Sequence, residues 1–213
     1  MCGEFGSMPV LGEPAPDFEA LTTAGMVKLS DFKGKWLVLF SHPADFTPVC
    51  TTEFIAFSQI AEELKSLNVQ LMGLSIDSVH SHLAWIRNIK EKMGVDIPFP
   101  IIADLDMKVA KKYGMIHPGQ RSTAAIRAVF FIDDKGILRA MIYYPLTAGR
   151  YMPEIIRLVK SLQTTDKYGV ATPANWQPGD KVVVPAPKNK EEMDKRLSEG
   201  YECKDWYLCF KKL

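Results

Sequence analysis

Cys50 stands in the run Pro43-Ala44-Asp45-Phe46-Thr47-Pro48-Val49-Cys50-Thr51-Thr52-Glu53. An apolar run, Trp36-Leu37-Val38-Leu39-Phe40-Ser41, comes just before it. After it, apolar residues recur at helical spacing, at Phe54, Phe57, Ile60 or Ala61, Leu64 and Leu67. The prolines cannot continue a central strand, whereas proline is well tolerated in the first turn of a helix, so the chain turns here from strand to helix. A thiol in that first turn lies beside amides with no intrahelical acceptor and at the positive end of the helix dipole. Both favour the thiolate, and the chemistry to expect is nucleophilic attack by sulfur. The competing reading is an inert buried cysteine, but burial alone gives no reason for Thr47 and two prolines around it.

Other reactive residue types are sparse. Cys203 and Cys209 flank Lys204-Asp205-Trp206-Tyr207-Leu208 and can meet if the tail curls. Zinc is poorly served by two thiolates without nearby partner ligands. No Cys-x-x-Cys occurs, which argues against a dithiol oxidoreductase. His80 and His82 form His-x-His near a helix start, yet no Cys, His or carboxylate completes a set at local spacing, so both read as surface residues and no metal site is expected. Gly73-Leu74-Ser75-Ile76-Asp77 lacks the second glycine of a serine elbow and runs through a strand. Arg127 stands near the start of an otherwise apolar strand, a placement that stability alone does not explain.

The string from Ser41 to Glu53 resembles the peroxiredoxin signature Pro-x-x-x-Thr-x-x-Cys, here Pro43, Thr47 and Cys50. It is similar to the one-cysteine subfamily, and the cysteine pair in the tail resembles that of its archaeal members. The likeness runs from about Pro9 to the C-terminus. It implies a thioredoxin-like α/β fold with a C-terminal dimerisation arm, and a thiol-specific peroxidase acting on hydrogen peroxide and organic hydroperoxides without cofactor.

By that resemblance Cys50 is the peroxidatic cysteine, which passes through a sulfenic acid. The Thr47 hydroxyl reaches sulfur and peroxide, and Thr47 is also expected as a helix N-cap. Pro43 shields the sulfur. Arg127, in Ala125-Ile126-Arg127-Ala128-Val129-Phe130-Phe131, resembles the family's active-site arginine and would stabilise the thiolate and grip the peroxide. Arg150 resembles a second family arginine, supporting Glu53 and Arg127. His42 either hydrogen-bonds near the sulfur, shapes the pocket or is simply structural. Carried over from archaeal members, Cys203 of another subunit resolves Cys50, and Cys209 then forms a disulfide with Cys203 for thioredoxin or a similar dithiol protein. The resemblance further implies a homodimer assembled into a decamer of five dimers. The competing class is a ring-forming holdase or redox-sensing scaffold; Cys50→Ser would abolish peroxide turnover while leaving any holdase effect intact.

The elements that must position these residues follow from pattern. At 213 residues with 47% hydrophobic content, the chain suits one large domain or one with an appendage. Lys and Arg number 26 against 25 Asp and Glu, which leaves no electrostatic footprint for nucleic acid. Apolar runs are too short to span a bilayer, and four cysteines without framework spacing suit a reducing cytoplasm. Strands are expected at 36–41, 70–76, 100–103, 126–132 and 137–144, with helices at 51–66, 79–92, 107–113 and 152–165. The last two strands should form an antiparallel hairpin through Asp133-Asp134-Lys135-Gly136. Residues 8–168 form the expected peroxidase domain. A proline-rich arm follows at 169–213, with a short helix at 190–198 and Trp176, Trp206, Tyr207 and Phe210 as anchors on a partner subunit. Residues 1–7, with Cys2, Glu4-Phe5 and Gly6-Ser7, read as a vector-derived extension ahead of a native Met8.

Overall fold

The computed structural model describes residues 8–120, 123–196 and 198–213, so the reading of residues 1–7 lies outside the described residues. The chain divides into two compact units, 1–152 and 153–213. The first is built on a seven-stranded mixed sheet. In chain order its strands are β1 (Glu19–Thr22), β2 (Gly25–Lys28), β3 (Trp36–Ser41), β4 (Val69–Ser75), β5 (Ile101–Ala103), β6 (Arg127–Ile132) and β7 (Leu138–Tyr144). Their spatial order is β2-β1-β5-β4-β3-β6-β7.

Strands β3, β4 and β5 are parallel, joined through helices α1 (Pro48–Ser66) and α2 (Val79–Met93). Every residue of β3 is buried, as a continuous apolar run without alternation requires of a central strand covered on both faces. Strand β6 runs antiparallel to β3, and β7 antiparallel to β6, which is the mixed sheet with an edge hairpin expected from the sequence. The hairpin turn is tied by Asp133, whose Oδ1 accepts from the amides of Lys135 at 3.0 Å and Ile137 at 2.9 Å. Gly136 completes it with a φ of 83°, a conformation costly for any residue with a Cβ.

Helix α1 buries Cys50, Glu53, Phe54, Phe57 and Leu64 on one side. Phe57 stacks on Phe40 of β3 with centroids 3.9 Å apart, and Phe54 meets the same ring edge-on at 5.5 Å. Gly73 in β4 makes room for this cluster, since a Cβ there would lie 3.3 Å from Phe54 Cζ. The helix starts at Pro48, as an N-cap at Thr47 implies, because proline's fixed φ suits a first helical position. A short helix α3 (Lys108–Lys112) precedes β6. The β1–β2 hairpin was not expected, as its ten residues show only weak alternation.

The second unit holds helix α4 (Met152–Tyr168), which begins at the division itself, then β8 (Val182–Val183), helix α5 (Lys190–Arg196), β9 (Glu202–Asp205) and β10 (Leu208–Lys211). The strands form a small antiparallel sheet in the order β8-β10-β9. The division falls after Met152 rather than after Tyr168, where composition changes. Contacts explain this: Arg157 of α4 donates to the Trp176 carbonyl at 3.4 Å, and Ser161 pairs with Thr172 at 2.6 Å. Trp176 is buried with Val170 and Val182 in the arm's own small core, whereas Trp206 and Tyr207 are exposed. Among the described residues no helix is long and apolar enough to cross a membrane.

Candidate active site

The site in the first unit grows from the junction of β3 and α1. Thr47 is the N-cap residue, Pro48 the first helical residue, and Cys50 lies in the first turn, where backbone amides lack intrahelical acceptors. Cys50 is a free thiol with 0% exposure, and Pro43 is buried nearby in sequence. Phe46, between Pro43 and Thr47, takes a positive φ of 54°, so the chain makes a tight turn just ahead of the helix.

Strand β6 delivers Arg127 to this point, 77 residues away in sequence, and its Nη1 lies 3.3 Å from Cys50 Sγ. The same nitrogen donates to Glu53 Oε2 at 2.6 Å, while Nε donates to the Leu146 carbonyl at 3.1 Å. Glu53 sits one helical turn beyond Cys50, on its face of α1. Its carboxylate also receives Arg150, from Nε at 2.8 Å and Nη2 at 2.7 Å, and the Arg150 amide at 2.9 Å. Arg150 Nη1 donates to the carbonyls of Ser41 and Ala128, at 2.9 and 3.1 Å, which ties the ends of β3 and β6 together. Its guanidinium lies over the rings of Phe40 and Phe57, 5.1 and 5.2 Å from their centroids. Burial pulls the Arg150 guanidinium below its ordinary value, and the Glu53 carboxylate opposes that pull.

These groups have a simple charge balance. Two buried guanidiniums face one buried carboxylate, so the cluster is one negative charge short. Uncompensated charge in a dry interior is costly, so the cluster suits negative charge developing on atoms that react beside the Arg127 donor.

Thr47 differs from expectation. Its side chain makes no cap hydrogen bond, and its hydroxyl donates instead to the Ala44 carbonyl at 2.9 Å. With its proton held there, the oxygen keeps its lone pairs as acceptors. Ser41 closes the β3–β6 register, donating to the Ile126 carbonyl and accepting from the Ala128 amide.

His42 belongs to a second buried network that the sequence reading did not assemble. Its Nε2 lies 2.9 Å from Asp45 Oδ1, and Asp45 Oδ2 lies 2.8 Å from His82 Nδ1. His82 Nε2 in turn faces the Ile102 carbonyl at 3.1 Å. His82 is therefore fully buried, not a surface residue, whereas His80 is exposed. A usable signal was present: His82, Trp85 and Ile89 share one face of α2 and are all buried. Asp45 lay within the motif but carried no assigned role. Burial pushes its carboxyl up, yet hydrogen bonds from both histidines outweigh this and hold it well below the usual carboxylate range. Burial lowers His42, with Asp45 opposing, and its Nδ1 has no hydrogen-bond partner. His42, Asp45 and His82 are the one group among the described residues with a plausible metal-ligand set, their ligand atoms lying within 4.8 Å of one another. A cation would have to displace both short hydrogen bonds that already satisfy Asp45.

In the second unit Cys203 and Cys209 form a disulfide, on β9 and β10 respectively. Cys209 is fully buried and Cys203 half-buried. The structure thus brings Pro43, Thr47, Cys50, Glu53, Arg127 and Arg150 together in one unit and the two tail cysteines in the other.

Comparison with known proteins agrees with this chemistry. Residues 11–141 match the AhpC/TSA family, and residues 161–200 match the C-terminal domain of 1-Cys peroxiredoxin. A peroxiredoxin from Aquifex aeolicus is 64% identical, covering 99% of this chain and 100% of that protein. One from Methanocaldococcus jannaschii is 54% identical, covering 97% and 100%. Among solved structures, the yeast mitochondrial 1-Cys peroxiredoxin, studied for thiol resolution through glutathione and thioredoxin systems, superposes with a TM-score of 0.86 at 42% identity, covering 97% of this chain and 100% of that one. Peroxiredoxin 6 of Arenicola marina also gives 0.86 at 42%, covering 96% and 98%. The sheet is therefore that of a thioredoxin-fold peroxiredoxin, and the chain belongs to the peroxiredoxin family, a thiol peroxidase that reduces peroxides with electrons from a thiol reductant.

Proposed function

We propose that Cys50 is the sulfur that attacks peroxide, and that the tail disulfide is the form in which the oxidising equivalents await reduction. The observation that carries the first part is Arg127 Nη1 at 3.3 Å from a fully buried Cys50 Sγ. The thiolate attacks the hydroxyl oxygen of the hydroperoxide, forming S–O as O–O breaks. The departing oxygen leaves as alkoxide or hydroxide and takes a proton, giving alcohol or water and a Cys50 sulfenic acid. Arg127 stabilises negative charge as it moves from sulfur to the leaving oxygen. The Thr47 oxygen, its own proton bound to Ala44, accepts from the hydroperoxide O–H. Pro43 keeps water from the sulfenic acid. Glu53 and Arg150 hold Arg127 in place.

A Cys203 thiolate of another subunit then attacks the sulfenic sulfur, forming a disulfide and expelling hydroxide, which takes a proton and leaves as water. Cys209 exchanges with Cys203, restores the Cys50 thiolate and leaves the Cys203–Cys209 disulfide for thioredoxin or a similar dithiol protein. A Cys203–Cys209 disulfide in a chain whose Cys50 is a free thiol supports this order. The working assembly is a homodimer associated into a decamer, and the compartment is the cytoplasm, where thiol reductants are abundant. Non-reducing mass spectrometry after one equivalent of peroxide tests the relay. It should show Cys50–Cys203 between chains, or its Cys203–Cys209 successor; free tail thiols beside an oxidised Cys50 would reject it.

A further inference from the structure

The two sulfurs of the tail disulfide are not equivalent, and their difference decides which one a reductant meets. Cys203 lies on β9, the outer strand of the β8-β10-β9 sheet, between exposed Glu202 and Lys204. Cys209 lies on β10, the middle strand, and is fully buried. Thiol–disulfide exchange requires the attacking sulfur to approach along the S–S axis, from the side opposite the leaving sulfur. Cys203 is half-exposed on an edge strand. At Cys209 the sulfur is covered, and two backbone oxygens lie against it, Asp205 O at 3.4 Å and Trp206 O at 3.8 Å. Carbonyl oxygens carry the negative end of their dipoles and repel an incoming thiolate. They also suit a released thiol, because an S–H on Cys209 finds an acceptor already in place.

Resting on the relay proposed above, we infer that the external dithiol attacks Cys203 Sγ and that Cys209 is the leaving sulfur. The reductant's thiolate forms a bond to Cys203 as the Cys203–Cys209 bond breaks. Cys209 leaves with the electron pair, takes a proton to become a thiol, and its S–H hydrogen-bonds to Asp205 O. The reductant's second thiolate attacks its own bonded sulfur and releases the Cys203 thiolate. The dithiol loses two electrons to become a disulfide, and the tail gains them as two thiols. Cys203 is then the sulfur attacked in both exchange steps, first by Cys209 and then by the reductant. Cys209 never meets an outside protein. The outer edge of β9, which no other strand among the described residues pairs with, leaves room for the reductant's chain beside Cys203.

The sequence provides a direct assay, because Lys204 lies between the two cysteines and trypsin separates them. The oxidised full-length protein is mixed with a thioredoxin whose second active-site cysteine is replaced by serine, quenched in acid, blocked with N-ethylmaleimide and digested. The trapped thioredoxin should sit on the peptide ending at Lys204, in at least about tenfold excess over the peptide carrying Cys209. Cysteamine as a small-thiol probe should show the same preference, since the cover over Cys209 does not depend on the size of the attacker. Equal labelling, or an excess on Cys209, would overturn the assignment. If peroxide fails to produce the tail disulfide, the relay itself fails. Diamide then forms the disulfide chemically, and the same digest still decides which sulfur is attacked.

Discussion

The two sulfur centres of this chain solve opposite problems. Cys50 lies where no solvent reaches, held by donors and charges that are fixed before any substrate arrives. Cys203 lies on the edge strand of a three-stranded sheet with little core of its own. A peroxide is small enough to enter a closed pocket, and cleaving its O–O bond gains from preorganised charge in a dry setting. A protein dithiol cannot enter such a pocket, so the sulfur it reduces must be presented on a surface. In the relay proposed above, burial separates the oxidising step from the reducing one.

Four changes break or sharpen this contrast, in falling order of effect. Cys203→Ser should permit one fast turnover and then stall. Stopped-flow should show a normal first phase, and a steady-state assay with thioredoxin should show almost none; unchanged multiple turnover would remove Cys203 from the cycle. Arg127→Gln takes a charged donor from the sulfur and should slow the first phase by about 10²–10³-fold, the usual loss on removing one preorganised donor to a reacting centre. Arg150→Met should act mainly on stability, because it strips Glu53 of a buried partner; urea denaturation should report a loss of about 3–5 kcal/mol. Trp206→Ala, at the exposed tip of the tail hairpin, should shift the same curve by less than about 1 kcal/mol.

Acidity tests the His42–Asp45–His82 network. Burial holds folded His42 below its ordinary value of 6.5, so the unfolded chain binds the proton first. Stability from this group is fully present above about pH 6.5 and is lost as pH falls from there toward the folded value. Asp45 is likewise depressed, and its contribution is lost only at much lower pH, below the ordinary carboxylate range. Unfolding free energies from urea curves should therefore fall between pH 7 and 5.5, by at most about 1.4 kcal/mol per pH unit, and His42→Phe should flatten that slope. An unchanged slope would show that another group controls it.

The central junction was legible because several signals coincide there. The apolar run of β3, two prolines and the stripe of Phe54, Phe57 and Leu64 all place a strand, a turn and a helix around Cys50. Arg127 was legible as a charge at the head of an apolar strand, and Glu53 through its place in the motif. What escaped depends on side-chain geometry or on long-range pairing. His82 looked like a surface residue because His-x-His drew attention to metals rather than to the buried face it shares with Trp85 and Ile89. The hydroxyl of Thr47 could equally cap the helix or turn back to Ala44, and only the folded loop chooses. The tail hairpin escaped because Trp206-Tyr207 at its tip carries none of the glycine or asparagine that marks a tight turn. The composition boundary after Tyr168 and the contact boundary after Met152 differ by helix α4, whose contacts reach forward to Thr172 and Trp176.

The account's central claim is that the buried sulfur under Arg127, and not an exposed tail sulfur, takes the oxygen. It is tested most directly by treating the Cys203→Ser/Cys209→Ser protein with one equivalent of hydrogen peroxide in the presence of dimedone, then mapping the adduct by mass spectrometry. The account predicts stoichiometric dimedone on Cys50, and its loss when Arg127→Gln is added and the reaction is stopped early. Peroxide left unconsumed by this protein, with Cys50 recovered as a free thiol, would contradict it.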